Sequence, residues 1–417
     1  MAETYDVLIV GGGVAGCSAA LAAVREGASV LLIEAHSYLG GNATRAMVGP
    51  WQSYHAAKIN PDGSMPEQVI GGIAQEFVDD LIKLGASPGH IVDPIGFAGS
   101  ITPVNSDTVK LYLAQKLGSA GVEIQLNRPL ATQHLAMARQ IIDTSGLAIA
   151  ARKLDARVIM PENPQPMSWL FTMDNVDTAA IRQFQIDHPD QFVLHPSFES
   201  LRPDMIAVSG FFDIVAEARE KGELNIPRDR LLFFSTARAG EVLVNTTRVP
   251  VDHANSRLAA LTQVHELEQW LPANIPGFKD ARLARVADDI GQRETCRIVG
   301  KYTLTAENVS SGGRHEDAIA RGSFPIDVHR ATDDGLDTES IGGRGWYDIP
   351  IGCLESADVP NLLCAGRTIS ADSKGFASAR VLPTSLATGQ AAGYIAARRA
   401  LEKIVEIPAC LSSISLV

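Results

Sequence analysis

Asp6-Val-Leu-Ile-Val10-Gly11-Gly12-Gly13-Val14-Ala15-Gly16, followed by an alanine-rich stretch and by Ala28-Ser-Val-Leu-Leu-Ile-Glu34, decides the fold. A short apolar run enters a glycine turn, small residues continue as a helix, and a second apolar run ends in an acid. The order is strand, turn, helix, strand. Gly11 allows a sharp turn out of the strand, Gly13 removes a side chain where a pyrophosphate approaches the backbone, and Gly16 lets the helix lie close to the sheet. The helix aims its free N–H groups at phosphate. Glu34 stands 21 residues beyond Gly13 (34 − 13), the reach needed for a ribose hydroxyl pair, and its charge disfavours a 2′-phosphate. The unit is read as a Rossmann-like site for an adenine dinucleotide, which makes redox chemistry the leading expectation.

Outward from this unit, the chain has 417 residues, enough for two large lobes. A net charge of −12 argues against nucleic acid or an anionic membrane surface as partner. No apolar stretch reaches membrane-spanning length without a charge, glycine or proline. Five scattered cysteines, Cys17, Cys296, Cys353, Cys364 and Cys410, form no Cys-x-x-Cys and argue against a redox disulfide, a zinc ribbon or an iron–sulfur cluster. Cys17 is read as a small packing residue. With no secretory pattern ahead of the first strand, the expected compartment is the cytoplasm.

Helices are expected over 70–84 and 106–120, the second with Asp107 favouring its N-terminus, and a strand over Val122–Leu126. Alternating helix and strand predicts a parallel sheet. From residue 155 prolines and isolated aromatics increase. Leu231–Ser235 and Glu241–Asn245 read as adjacent strands and Leu258–Trp270 as a helix, in a lobe built on a mixed sheet. Nucleotide-type character returns with Asn361-Leu-Leu-Cys-Ala-Gly-Arg367 and with Arg380-Val-Leu-Pro-Thr384, which opens a helix reaching about Glu402; Pro383 suits its first turn. The predicted class is therefore α/β: residues 1–154 and 351–417 form a dinucleotide-binding domain, and 155–350 an inserted mixed α+β substrate domain.

Gly11 to Gly16, Glu34 and Gly40-Gly41 resemble the FAD-binding start of the glutathione reductase superfamily. Arg293-Glu-Thr-Cys-Arg297 through Thr305, Phe324-Pro-Ile-Asp-Val-His329, Asn361 to Ser370, and Arg380 to Gly393 resemble the bacterial FAD-dependent oxidoreductase family. That family is related to fumarate reductase flavoproteins and to the flavin subunit of heterodisulfide reductase. The resemblance implies FAD as cofactor. It implies that Gly11, Gly13, Ala15, Gly16, Glu34, Gly41, Asn42 and Thr44 serve the adenosine and pyrophosphate. Gly366 and Arg367 fall beside the flavin, and Arg380, Leu382 and Thr384 near its ring edge, where a helix N-terminus stabilises an anion. One departure stands out. Relatives carry a small antiparallel meander before the strand that ends here at Ile141-Ile-Asp-Thr-Ser-Gly146, but only Asn127 to Gln140 is available. Its loss would expose the nucleotide, and it motivates a second reading: a flavoprotein fold with a lyase, isomerase or binding role.

The catalytic candidates are Arg293, Arg297, Asp327 and His329. Asp327 and His329, two apart, share a side of an extended segment as orienter and base. Arg293 and Arg297, four apart, would lie on one face of a helix and clamp a carboxylate or phosphate, with Glu294 as an ordinary ion-pair partner instead. Tyr302 and His55 are weaker candidates. No second nucleotide unit appears, so a NAD(P)H-coupled disulfide reductase is disfavoured. The expected activity is a dehydrogenase or oxidase moving hydride from a small polar metabolite to flavin N5. Oxygen, a quinone or an electron-acceptor protein would take the electrons. The apolar tail Ile407 to Val417 is a candidate surface for a second copy of the chain.

Overall fold

The structure, a computed structural model, describes residues 4–251, 255–330 and 335–417. Strand β1 (Tyr5–Val10) occupies the middle of a five-stranded sheet ordered β5-β4-β1-β2-β3, where β2 is Val30–Ile33, β3 Glu123–Gln125, β4 Ala138–Asp143 and β5 Leu362–Cys364. Every pairing is parallel, with Val7 opposite Val30 and Val10 opposite both Ile33 and Asp143. A parallel sheet needs cover on both faces. The period-two alternation of β1 supplies it: Val7 and Ile9 pack on one side, Leu8 and Val10 on the other with Ala148, Ala151 and Ile298.

Helix α1 (Val14–Arg25) follows β1, and α2 (Leu382–Ala400) lies against it. The approach is backbone to backbone. A Cβ on Gly389 would sit 2.2 Å from the Ala15 carbonyl oxygen, and one on Gly393 2.1 Å from that of Ala19. Ser18 Oγ donates to the Leu386 carbonyl at 2.8 Å. The two distant segments thus build one unit, which brings the Leu382 end of α2 beside the glycine turn.

The first helix after the nucleotide unit is Gly72–Lys83, and the next is Ser106–Ser119. Asn105 caps the latter, its side chain accepting from the Thr108 N–H at 3.0 Å, and Asp107 lies in the first turn as expected. Asn105→Ala is expected to cost about 1 kcal/mol, a loss measurable as a lower urea midpoint with an unchanged slope. Residues 126–137 contain one short helix, Thr132–Leu135, and no strand, so no antiparallel meander precedes Ala138–Asp143.

The second sheet has the order Arg282–Val286, Phe171–Asp174, Val242–Val244, Leu231–Ser235, Ala207–Gly210. The lobe mixes helices and strands as expected, but its sheet is antiparallel throughout rather than mixed. For one pair the reason is connection length: Leu231–Ser235 and Val242–Val244 are joined by a short loop, which an antiparallel hairpin allows and a parallel crossover does not. Helix Ser256–Asn274 packs on this lobe, whose core is rich in aromatic pairs such as Phe233 with Phe278, 5.2 Å between centroids. The hairpin Ile326–His329 with Leu336–Glu339 lies between the lobes: Ile326 belongs to the first core, while Arg248 of the second lobe bonds His329.

The end of the tail packs on its own chain. Ser415 pairs with Ile70, Leu416 N–H donates to the Val69 carbonyl, and Arg321 binds Ser415 Oγ at 2.8 Å. Among the described residues no helix is long and apolar enough to cross a membrane.

Candidate active site

A cavity of about 590 Å³ opens at the carboxyl ends of the parallel strands and continues to the second sheet. This is where open α/β sheets place ligands. Gly11 has φ +102°, and a Cβ there would strike Ser145 Cα at 2.7 Å. Gly16 lies behind the wall, where a Cβ would meet the Gly11 carbonyl oxygen at 2.0 Å. Gly13 differs from both: it lines the cavity, its φ is an ordinary −65°, and nothing lies within 4 Å of an added Cβ. It is the N-cap of α1 and has no side chain to satisfy the leading N–H groups. The result is a bare, electropositive cradle.

Glu34, 7% exposed at the tip of β2, lines the same cavity. One carboxylate oxygen accepts from Gly12 N–H at 2.6 Å and the other from His36 N–H at 2.8 Å. Each oxygen keeps a lone pair for a ribose hydroxyl. Ala15, Gly41, Asn42, Gly366, Arg367, Arg380 and Leu382 also line the cavity. Thr44 and Thr384 do not. Both are fully buried; Thr44 Oγ1 ties its loop to the Leu39 carbonyl at 2.7 Å, and Thr384 lies in the first turn of α2. The N-terminus of α2 likewise lacks a side-chain cap, and Val381, Leu382 and Ser385 there face the cavity. Burial, with Arg380 nearby, pushes the Arg367 guanidinium down to about 10; it donates to the Gln292 carbonyl at 2.7 Å. A bare cradle, a ribose acid and two uncapped helix ends fit a dinucleotide carrying a flavin.

At the second-lobe end, Asp327 and His329 stand on one side of Ile326–His329, with His329 Nε2 3.2 Å from Asp327 Oδ2. His329 Nδ1 lies 2.9 Å from Arg248 Nη2. A guanidinium only donates, so Nδ1 is the acceptor and Nε2 carries the proton toward Asp327. Burial drives the imidazole down to about 3, assisted by Arg293 and opposed by Asp327, so the ring is neutral near pH 7. Asp327 also accepts from Arg380 Nη2 at 2.9 Å. Burial raises its carboxyl, but the His329 bond and the charges of Arg380 and Arg293 outweigh burial and hold it well below the usual range.

The arginine clamp is overturned. Residues 292–296 are not helical, and Arg297–Ile298 is a short strand paired with Val158–Ile159. Arg293 reaches the cavity, bonding the Pro166 carbonyl at 2.6 Å and Ser168 Oγ at 2.9 Å. Arg297 is 1% exposed, bound to Glu294 at 2.5 Å and laid over Phe376, away from the cavity wall. Its role is the ion pair. His55 and Tyr302 are also outside the lining; His55 Nδ1 bonds Ser100, and burial lowers its imidazole to about 3. Cys17 is buried and its thiol is pushed up by burial, as a packing residue should be.

Besides Arg293, Arg367 and Arg380, six arginines that the sequence does not single out line the cavity: Arg45, Arg128, Arg228, Arg230, Arg248 and Arg257. Arg228 precedes the strand Leu231–Ser235, and Arg248 follows Val242–Val244. Their positions at strand ends are the only local cue, and single arginines form no pattern.

Comparison with known proteins follows the same direction. The model of the family described as FAD dependent oxidoreductase matches residues 6–407. Fumarate reductase (cytochrome) of Shewanella frigidimarina is 46% identical over 133 residues, 30% of this chain and 22% of that protein. NADH:acrylate oxidoreductase of Vibrio harveyi is 44% identical over 64 residues, 15% of this chain and 6% of that protein. The matched part is thus a small fraction of these curated relatives. Among solved structures, a geranylgeranyl bacteriochlorophyll reductase-like protein of Thermoplasma acidophilum covers 96% of this chain and 78% of its own at 14% identity and a TM-score of 0.45. Matched across nearly its whole length, this chain belongs to the FAD dependent oxidoreductase family and is an enzyme whose cofactor is FAD.

Proposed function

We propose that this enzyme is a dehydrogenase or oxidase that moves hydride from a small polar metabolite to flavin N5. The observation that supports this reading is one continuous cavity running from the bare Gly13 cradle to Asp327 and His329. Bound FAD supplies the hydride-accepting centre. Gly11, Gly13, Ala15, Gly41, Asn42 and Glu34 would hold its adenosine and pyrophosphate, with Gly366 and Arg367 along the flavin portion. The uncapped start of α2 and Arg380 would stabilise negative charge at the ring edge. Leu170, Leu232 and Phe234 line the second-lobe end and exclude water there. His329 is already neutral, and its Nδ1 takes the paired proton when the Arg248 bond is released; Asp327 then faces an imidazolium. Oxygen, a quinone or a carrier protein would remove the electrons.

The test is anaerobic. FAD-loaded enzyme is mixed with a panel of hydroxy acids, amines and alcohols, and the oxidised-flavin band near ~450 nm is followed. Bleaching by at least one donor is expected. His329→Gln should slow it about 100-fold with FAD content unchanged. A band that no donor bleaches refutes the reading, and an unslowed variant removes His329 from proton transfer.

A further inference from the structure

Arginines outnumber carboxylates along the cavity as a whole. Among the described residues, nine arginines and five carboxylates line the cavity. The carboxylates are already engaged. Glu34 holds backbone N–H groups, as does Asp93; Asp229 pairs with Arg230, Asp289 with Arg45 and Arg257, and Asp327 with Arg380.

Arg228 and Arg293 have only neutral acceptors among the described residues. Arg228, 6% exposed, donates to the Asn245 carbonyl at 3.2 Å. Arg293 holds the Pro166 carbonyl and Ser168 Oγ. The two repel each other, and both repel Arg248. Burial, with these like charges, pushes each guanidinium down to about 9. Asp327 is within electrostatic range of both and Asp229 of Arg228, but neither guanidinium bonds a carboxylate, and burial with the like charges outweighs these fields. A fold that keeps two such groups on a cavity wall, next to neutral His329, is built for an anion that arrives from solution.

Resting on the reading of this end as the substrate end, we propose that the substrate carries an oxyanion group, a carboxylate or a phosphate, gripped by Arg228 and Arg293. Guanidinium forks match the oxygens of either group. The anion would also raise the proton affinity of the adjacent His329, coupling substrate entry to the base it needs.

The experiment uses FAD-loaded protein titrated with oxalate, malonate, succinate, inorganic phosphate and the neutral analogue malonamide. Thermal shift and perturbation of the flavin absorption spectrum are the readouts. At least one anion is expected to raise the Tm and perturb the spectrum while malonamide does neither. A dicarboxylate response without a phosphate response identifies a carboxylate, and the reverse a phosphate ester. Arg228→Gln and Arg293→Gln should each weaken anion binding at least tenfold, with FAD content as in wild type. Without anion, both variants should be no less stable than wild type, because a strained charge has been removed; a purely structural arginine would give a lower Tm.

The inference is overturned if malonamide binds as well as the anions, if no anion binds, or if the variants keep wild-type anion affinity. It is also overturned if the variants lose FAD together with the anion response, which makes these arginines cofactor ligands. Bleaching by a neutral donor alone keeps the oxidoreductase reading and refutes this one. Arginine-dependent anion binding with no bleaching by any donor does the opposite.

Discussion

Gly13→Val is expected to give a folded protein that no longer retains FAD. The two neighbouring glycines of the turn cannot make this separation. A side chain at Gly16 would drive into the Gly11 carbonyl at 2.0 Å, and one at Gly11 would need a residue other than glycine at φ +102°. Either change damages the fold, and loss of cofactor would then follow trivially. Gly13 has an unstrained backbone and open space around its missing Cβ, and that space is the cavity. Two methyl groups placed there stand where the pyrophosphate would approach the uncapped end of α1. The expected loss is at least about 100-fold in FAD affinity, or ~2.7 kcal/mol. It is measured by FAD titration of the apoprotein, with the apoprotein Tm within about 1 °C of wild type. A Gly13→Val protein that keeps its flavin with unchanged affinity would move the phosphates away from this turn.

The same contrast explains what the sequence could reveal. The roles of Gly11, Gly13 and Gly16 are imposed by backbone geometry within a dozen residues, so spacing alone carries them. The pairing of Asp327 with His329 is equally local, because two-residue spacing on an extended strand places both side chains together. Arg293 and Arg297 show the opposite case. Four-residue spacing means a shared face only on a regular helix or strand, and residues 292–296 form neither, so Arg293 enters the cavity and Arg297 turns to Glu294 and Phe376. The antiparallel pairing of Leu231–Ser235 with Val242–Val244 follows from their short loop, a cue present in the sequence, although the sheet was read as mixed. Arg228 and Arg248 were illegible for a different reason. Arg248 meets His329 across 81 residues of sequence, and Arg228 belongs to the same convergence of second-lobe loops. Nothing within either local segment specifies that meeting; tertiary packing does.

Asp327 tests that convergence most severely. Its carboxylate accepts from Arg380 and His329 together and lies within the fields of Arg293 and Arg228. Asp327→Asn preserves shape while removing the charge, and its amide group turns a donor toward donors. Leaving buried guanidiniums without compensation is expected to cost about 3 kcal/mol, a Tm lowered by roughly 3–4 °C in a chain of this size. Both proteins are compared with saturating FAD. The pH dependence fixes the cause. A carboxyl held below its unfolded value of 3.8 contributes stability above that value and loses it as pH falls toward the folded pKa. The Tm gap between wild type and variant should therefore stay constant from about pH 8 to pH 5 and narrow only below about pH 4. Adding Arg380→Gln to Asp327→Asn should recover part of the loss, because the two side chains share one interaction energy. Flavin reduction should also slow about 100-fold, since the imidazolium formed at His329 would lack its counter-charge. An Asp327→Asn protein with wild-type Tm would mean that the arginines find their compensation elsewhere, and the argument for a substrate anion at this end of the cavity would weaken with it.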